Sequence, residues 1–205
     1  MLAQGVSNVH LKIMVIKKIA RIIVTLQDTE PVIWRKLLVR TDTTFYKLHR
    51  ILQVAMGWTN SHLFEFNLEG FRLGELVDED DPFEDDYGPS KVLDARKTTL
   101  QELLSGQGDQ CQYIYDFGDH WVHLIELETF EDEIPDTKYP VCLDGERRCP
   151  PEDCGGVHGF SELLNVLNDK KRPEYADYKR WLPRNYKPEI LDLSAVNKKL
   201  LKFAR

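Results

Sequence analysis

The spacing of apolar residues changes once along this chain, and that change limits the fold more than any other feature. Up to Phe130 apolar positions recur mainly every second residue, whereas from Phe160 they recur at i, i+3, i+4 and i+7. A half-buried strand needs the first period and an amphipathic helix the second. Leu11–Leu26 and Val32–Arg40 read as strands joined by a turn at Asp28-Thr29-Glu30-Pro31. Thr43 or Thr44 then opens a helix with Phe45, Leu48, Leu52 and Ala55 in one stripe, ended by Gly57. Another alternating strand carries His62, Phe64, Phe66 and Leu68 on one face, and Thr98 or Thr99 caps a short helix through Leu104. Cys111–Phe117 and His120–Phe130 form a hairpin around Gly118-Asp119, for which a type II′ turn is expected.

Beyond Pro140 no further strand is expected. Phe160, Leu163, Leu164 and Leu167 mark one helix, and Pro173 opens a second with Tyr175, Tyr178 and Leu182 before Pro183. Asp192 or Ser194 caps a last one bearing Val196, Leu200 and Phe203. Strands first and helices last, with one helix inserted early, predicts an α+β fold. The expected form is a largely antiparallel sheet with one early crossover helix and a C-terminal helical cover.

The 205 residues contain no repeat, low-complexity tract or Gly/Ser linker, which points to one domain over 1–205. Its parts are a leader at 1–18 (an extra strand or a poorly ordered segment), the sheet with its helix at 20–130, a cysteine loop at 140–158 and the helical tail at 159–205. No secretory signal opens the chain and no apolar run reaches the roughly 20 residues of a membrane helix. A cytoplasmic location without membrane contact is expected. The net charge of −7 is unevenly placed: residues 75–86 carry eight acids and no base, while 169–205 carry eleven Lys/Arg against five Asp/Glu. A solvated acidic loop and solvated basic helix faces explain both.

Three groups of residues could carry chemistry. The first is Cys142, Cys149 and Cys154. In a reducing compartment such a cluster reads as metal ligands or free thiols before disulfides. With His123, His62 or His158 as fourth ligand it would form a closed, structural zinc site. Ordinary buried thiols are the other reading. The second group is Asp116, Asp119, His120 and His123 around the hairpin turn, with Glu152 as an outlying candidate. Carboxylate beside imidazole is the material of acid–base catalysis, although Asp is also a favoured turn residue. The third is Arg35, which alternates with Ile33, Leu37 and Val39. A core-facing arginine needs a partner, and Asp116, or else Asp119, is the expected one, making an ion pair whose replacement by Arg35→Leu costs little unless the partner is stranded. Glycine-rich phosphate loops, GxGxxG, GxSxG and HExxH are all absent from the sequence.

Several phrases, taken in order and spacing, resemble the plasmid Ri ORF-three-like family. They are Pro31-Val32-Ile33-Trp34-Arg35-Lys36, Leu48-His49, Ala55-Met56-Gly57-Trp58 with His62-Leu63, Tyr115-Asp116-Phe117-Gly118-Asp119, and Cys149-Pro150-Pro151-Glu152-Asp153-Cys154-Gly155-Gly156. The resemblance runs from about residue 20 to residue 201. It implies an intracellular α+β protein found on plasmids, insertion elements and chromosomes, without an established activity. A resolvase-like label attached to some members does not fit, because the only early serine is Ser7, ahead of the first strand. Three functional readings follow: a binding or interaction module linked to mobile elements, a hydrolase or nuclease-like enzyme using the Asp116–His123 hairpin, and a nucleic-acid-binding protein. The last would use the basic C-terminal helices and needs a basic groove beside its aromatics. Tyr175, Tyr178 and Trp181 lie at helical spacing there and are expected to pack into the core.

Overall fold

Eight strands form one sheet in a computed structural model that describes residues 19–74 and 91–204. They are β1 Ile19–Leu26, β2 Ile33–Arg40, β3 Phe64–Leu68, β4 Phe71–Gly74, β5 Lys91–Asp94, β6 Gln110–Tyr115, β7 Trp121–Glu131 and β8 Val141–Glu146. The order across the sheet is β5-β4-β3-β6-β7-β1-β2-β8. Every pairing is antiparallel except β4–β5. The helices are α1 Phe45–Met56, α2 Leu100–Leu103, α3 Gly156–Asn168, α4 Tyr175–Trp181 and α5 Leu193–Leu200, with a 3-10 turn at Leu201–Phe203. This is the expected α+β architecture, with α1 crossing from β2 to β3 over the three strands between them.

The period-two pattern decides which face is covered. Ala20, Ile22, Val24 and Leu26 of β1, Ile33, Leu37 and Val39 of β2, and Trp121, Ile125 and Leu127 of β7 are buried and share one core with Phe45, Leu48 and Leu52 of α1, Phe160 and Leu163 of α3, and Leu200 of α5. The alternate residues carry charge: Lys36 bonds Glu128 at 3.0 Å and Arg21 pairs with Glu128 and Glu131. Thr44 caps α1 by accepting the Lys47 N–H at 3.2 Å, and Gly57 ends the helix at φ 96.

Four expectations need correction. Strands do not end at Pro140: β8 follows, pairs with β2, and places Cys142 in the sheet opposite Leu37 rather than in a loop. The strands β4 and β5, too short to show a period, were not foreseen. The hairpin is not a two-residue type II′ turn, since Tyr115 pairs with Trp121 and five residues intervene. Asp116 (φ 60) and His120 (φ 55) take the left-handed conformation there. They are joined by the His120 N–H donating to the Asp116 carbonyl at 2.6 Å. Lastly, α4 buries no residue and Trp181 is half exposed, whereas Leu182 and Tyr186 just after it enter the core. The leader at 1–18, the first half of the expected Leu11–Leu26 strand and the acidic run at 75–86 lie outside the described residues.

Arg35 is buried, as alternation requires, but Asp116 is not its partner. Its Nε donates to the Ala55 carbonyl at 2.9 Å, Nη1 to those of Trp34 (2.7 Å) and Glu146 (2.8 Å), and Nη2 to that of Arg147 (2.7 Å). Nη2 also lies 3.6 Å from Cys149 Sγ. The ion-pair expectation fails because carbonyls are nearer and already aligned. The Ala55 carbonyl belongs to the last turn of α1, where no intrahelical donor remains. A side chain at Gly145 would stand 2.6 Å from the Trp34 carbonyl oxygen and 3.0 Å from Arg35 Cδ, so glycine is what lets β8 approach the guanidinium.

Arg35→Leu therefore strands four carbonyls instead of one carboxylate. We expect it to lower unfolding free energy by about 3–5 kcal/mol in urea denaturation, the range for breaking a buried charged network. Arg35→Lys, which keeps the charge but not the fork, should recover only part of that loss.

Candidate functional site

Three connections meet beside the β6–β7 turn: residues 57–63 after α1, residues 116–120 of the turn itself, and residues 150–155 ahead of α3. Each is fixed by bonds that its own sequence supplies. Asp116, more than nine-tenths buried, accepts the Gly118 N–H (2.9 Å) and the Asp119 N–H (3.3 Å) on Oδ1, the local bonding for which Asp is favoured in turns. Its backbone N–H donates to the Leu63 carbonyl at 2.9 Å, tying the first connection to the second. Asp119 Oδ2 accepts the Gly155 N–H at 3.2 Å, tying the second to the third. Gly156 (φ 64) has no room for a side chain, because a Cβ would stand 2.6 Å from the Asp119 carbonyl oxygen.

Glu152 closes the triangle. Its Oε1 accepts the Tyr115 hydroxyl at 2.5 Å, and Oε2 accepts the Thr59 N–H at 3.1 Å and the Thr59 hydroxyl. Burial and the adjacent Glu152 hold the Tyr115 hydroxyl well above the ordinary phenol range, so it remains a donor. Trp58 Nε1 donates to the Pro150 carbonyl at 2.9 Å. Beneath this lies a run of polar contacts: Gln53 Nε2 donates to the Tyr113 hydroxyl (3.0 Å), which lies 2.8 Å from His49 Nδ1. His49 Nε2 donates to Asn60 Oδ1, and Asn60 N–H returns to Gln53 Oε1 at 2.9 Å.

At the mouth of the junction His62 Nε2 lies 3.2 Å from Asp153 Oδ1 and 3.5 Å from Asp116 Oδ2. These three atoms lie within 4.8 Å of one another, and among the described residues they are the only such set of three metal-capable donors. Asp153, at φ 58, is mostly exposed, while Asp116 is not. No Lys or Arg among the described residues stands within 4.0 Å of Asp116, Asp119, Glu152 or Asp153. Leu63 (65% exposed) and Phe117 (53% exposed) are the chain neighbours of His62 and Asp116.

The candidates named from sequence are thus redistributed. Asp116 and His62 come together, but with Asp153, which was not among the candidates. His120 and His158 are exposed, on the turn and on α3. His123 is fully buried, its Nδ1 shared between the Tyr113 and Trp121 carbonyls at 3.2 Å each, so it joins neither Asp116 nor Asp119. The three cysteines do not share a histidine. Cys142 Sγ donates to the Asp144 carbonyl (3.5 Å), Cys149 Sγ sits 3.6 Å from Met56 Sδ, and Cys154 Sγ faces the Gly156 carbonyl (3.9 Å). Burial pushes the Cys142 thiol up to about 11 and the Cys154 thiol up to about 12, the latter helped by Asp119. Cys142 is a strand residue of β8, whereas Cys149 and Cys154 lie in the connection to α3.

A family model described as plasmid pRiA4b ORF-3-like protein matches residues 18–195. "Uncharacterized protein y4hQ" of Sinorhizobium fredii (strain NBRC 101917 / NGR234) is 35% identical over 185 residues, covering 89% of this chain and 91% of its own. A crystal structure of a "Protein of Unknown Function", MM3350 from Methanosarcina mazei Go1, has a TM-score of 0.75 and 31% identity. The superposition covers 86% of this chain and 96% of that one. No helix among the described residues is long and apolar enough to cross a membrane.

Burial holds the His123 imidazole down at about 4, with the nearby Arg35 charge as a smaller contribution. The unfolded chain takes up this proton near the ordinary value of about 6.5, so stability should rise with pH between about 4 and about 6.5. The gain from this residue is on the order of 3 kcal/mol. Urea titrations across that range should show the corresponding part of the slope missing in His123→Phe.

Proposed function

The chain belongs to the plasmid pRiA4b ORF-3-like family, and we propose that it is a binding module whose recognition surface is the three-loop junction and whose ligand is positively charged. One observation carries this reading. Asp116, Asp119, Glu152 and Asp153 converge there without a Lys or Arg partner among the described residues. Like charges held together raise the local potential, and an uncompensated acidic mouth draws cations. Exposed Leu63 and Phe117, next to His62 and Asp116 in the chain, offer apolar surface suited to a partner that carries aliphatic groups beside its charge. The plasmid in the family's description supports a link to mobile elements.

The hydrolase or nuclease reading has less support. An acid–base pair needs its members within hydrogen-bond reach, and Asp116, Asp119, His120 and His123 are divided between the junction, the turn surface and the core. Nucleic-acid recognition by the C-terminal helices retains the exposed Trp181 beside Lys179 and Arg180, yet Arg180 pairs with Asp177, and Arg172 pairs with Glu162 and Glu174.

Amide chemical-shift titration tests the assignment with a lysine–leucine peptide, spermine and divalent cations as probes at low salt. At least one probe should displace resonances confined to residues 59–63, 116–120 and 152–156, and Asp116→Asn should abolish the displacement. An oligonucleotide that moves residues 170–187 instead, with the loops silent to every cation, would replace this reading by nucleic-acid recognition.

A further inference from the structure

We infer that the junction holds a divalent first-row transition ion, with His62 Nε2, Asp116 Oδ2 and Asp153 Oδ1 as its protein ligands. The inference rests on reading the junction as a cation-binding surface and names the cation. Two donors each about 2.1 Å from one ion at a tetrahedral angle lie about 3.4 Å apart. His62 Nε2 is 3.5 Å from Asp116 Oδ2 and 3.2 Å from Asp153 Oδ1, so two edges of that polyhedron are already in place.

The electron pairs are left available as well. His62 Nε2 is shielded from solvent and makes no hydrogen bond. Asp116 is more than nine-tenths buried, and both backbone donors that reach it bind Oδ1, leaving Oδ2 to face the imidazole. Of the three ligand atoms His62 Nε2 is the one buried without a hydrogen-bond partner; such an atom is costly, and a metal ion would remove that cost. The surrounding bonds act as the outer shell that orients ligands. Gly118 and Asp119 N–H fix the Asp116 carboxylate, the His62 ring packs edge-on against Tyr115 at 5.8 Å, and Glu152 clamps the loop that carries Asp153.

One imidazole with two carboxylates favours zinc or manganese over calcium and magnesium, which take oxygen donors alone. Three protein ligands leave at least one position for water on the exposed Asp153 side, unlike the closed cysteine site expected from sequence.

The test is calorimetric titration of chelator-stripped protein with Zn²⁺, Mn²⁺, Ca²⁺ and Mg²⁺, with the His62 ring nitrogens followed by long-range ¹H–¹⁵N correlation. One Zn²⁺ or Mn²⁺ per chain should bind, shifting Nε2. His62→Ala and Asp153→Asn should each weaken binding at least tenfold, while Cys149→Ser and Cys154→Ser leave it unchanged. Asp153→Asn changes an exposed side chain and keeps the comparison valid if His62→Ala does not fold. Zinc retained in Asp153→Asn but lost with the cysteines would overturn the assignment in favour of thiolate ligands. Silence toward all four metals, with the lysine–leucine peptide still moving the loops, would overturn the metal while leaving the cation-binding reading intact. Silence toward metals and peptide alike would remove both.

Discussion

A single buried cation organises this fold. Arg35 brings a full charge into the core, and among the described residues no carboxylate meets it there. Neutral carbonyls do, drawn from the last turn of α1, from the arginine's own strand, and from the end of β8 and the residue after it. Five N–H donors in a rigid fork can serve such a set, whereas an ammonium group cannot. The consequence is structural agreement among elements distant in sequence. The exit of α1, the register of β8 and the position of Cys149 must all be right at once for the guanidinium to be satisfied. The same charge contributes to holding His123 neutral and opposes the rise of the Cys149 thiol.

From that anchor the junction follows. The chain leaving α1 and the chain leaving β8 are both held by Arg35 at their starts, and each then runs on to the end of the sheet where β6 turns into β7. The loops meet there because they are delivered there, and Glu152, Tyr115 and Asp119 fasten them. Three segments with no regular structure of their own thereby acquire a fixed arrangement, which is what a binding site built on loops needs.

Much of this was legible in the sequence. Alternation identified the buried faces of β2 and β3, and the stripe and caps identified α1, because burial on one face imposes a period that tertiary context does not change. Arg35 was placed in the core for the same reason. Its partner was not legible, since backbone carbonyls are present at every position and leave no mark in a sequence. The strands β4, β5 and β8 were hidden by their length or by a bulge: β8 shifts register opposite Lys36 and Leu37, which breaks the alternation a reader would look for. The candidate site was half legible. His62 and Asp116 stood out as polar residues in apolar or turn contexts, but nothing local marks Asp153, 91 and 37 residues further on, as their neighbour, a proximity that only the meeting of loops creates.

The strand order also sets a schedule for the chain's synthesis. β1 lies inside the sheet, between β2 and β7, yet its register with β7 joins residues from Leu26–His123 to Ile19–Glu131, separations of 97 to 112 positions. At roughly 5–20 residues per second on the ribosome, the first strand made waits about 5–20 s for its second neighbour. During that interval the β1–β2 hairpin has an open hydrogen-bonding edge along a β-branched, apolar strand, the kind of edge that other chains can capture. Completion of the sheet is thus a late and long-range event, which places the burden of correct folding on whatever protects that edge until β7 emerges.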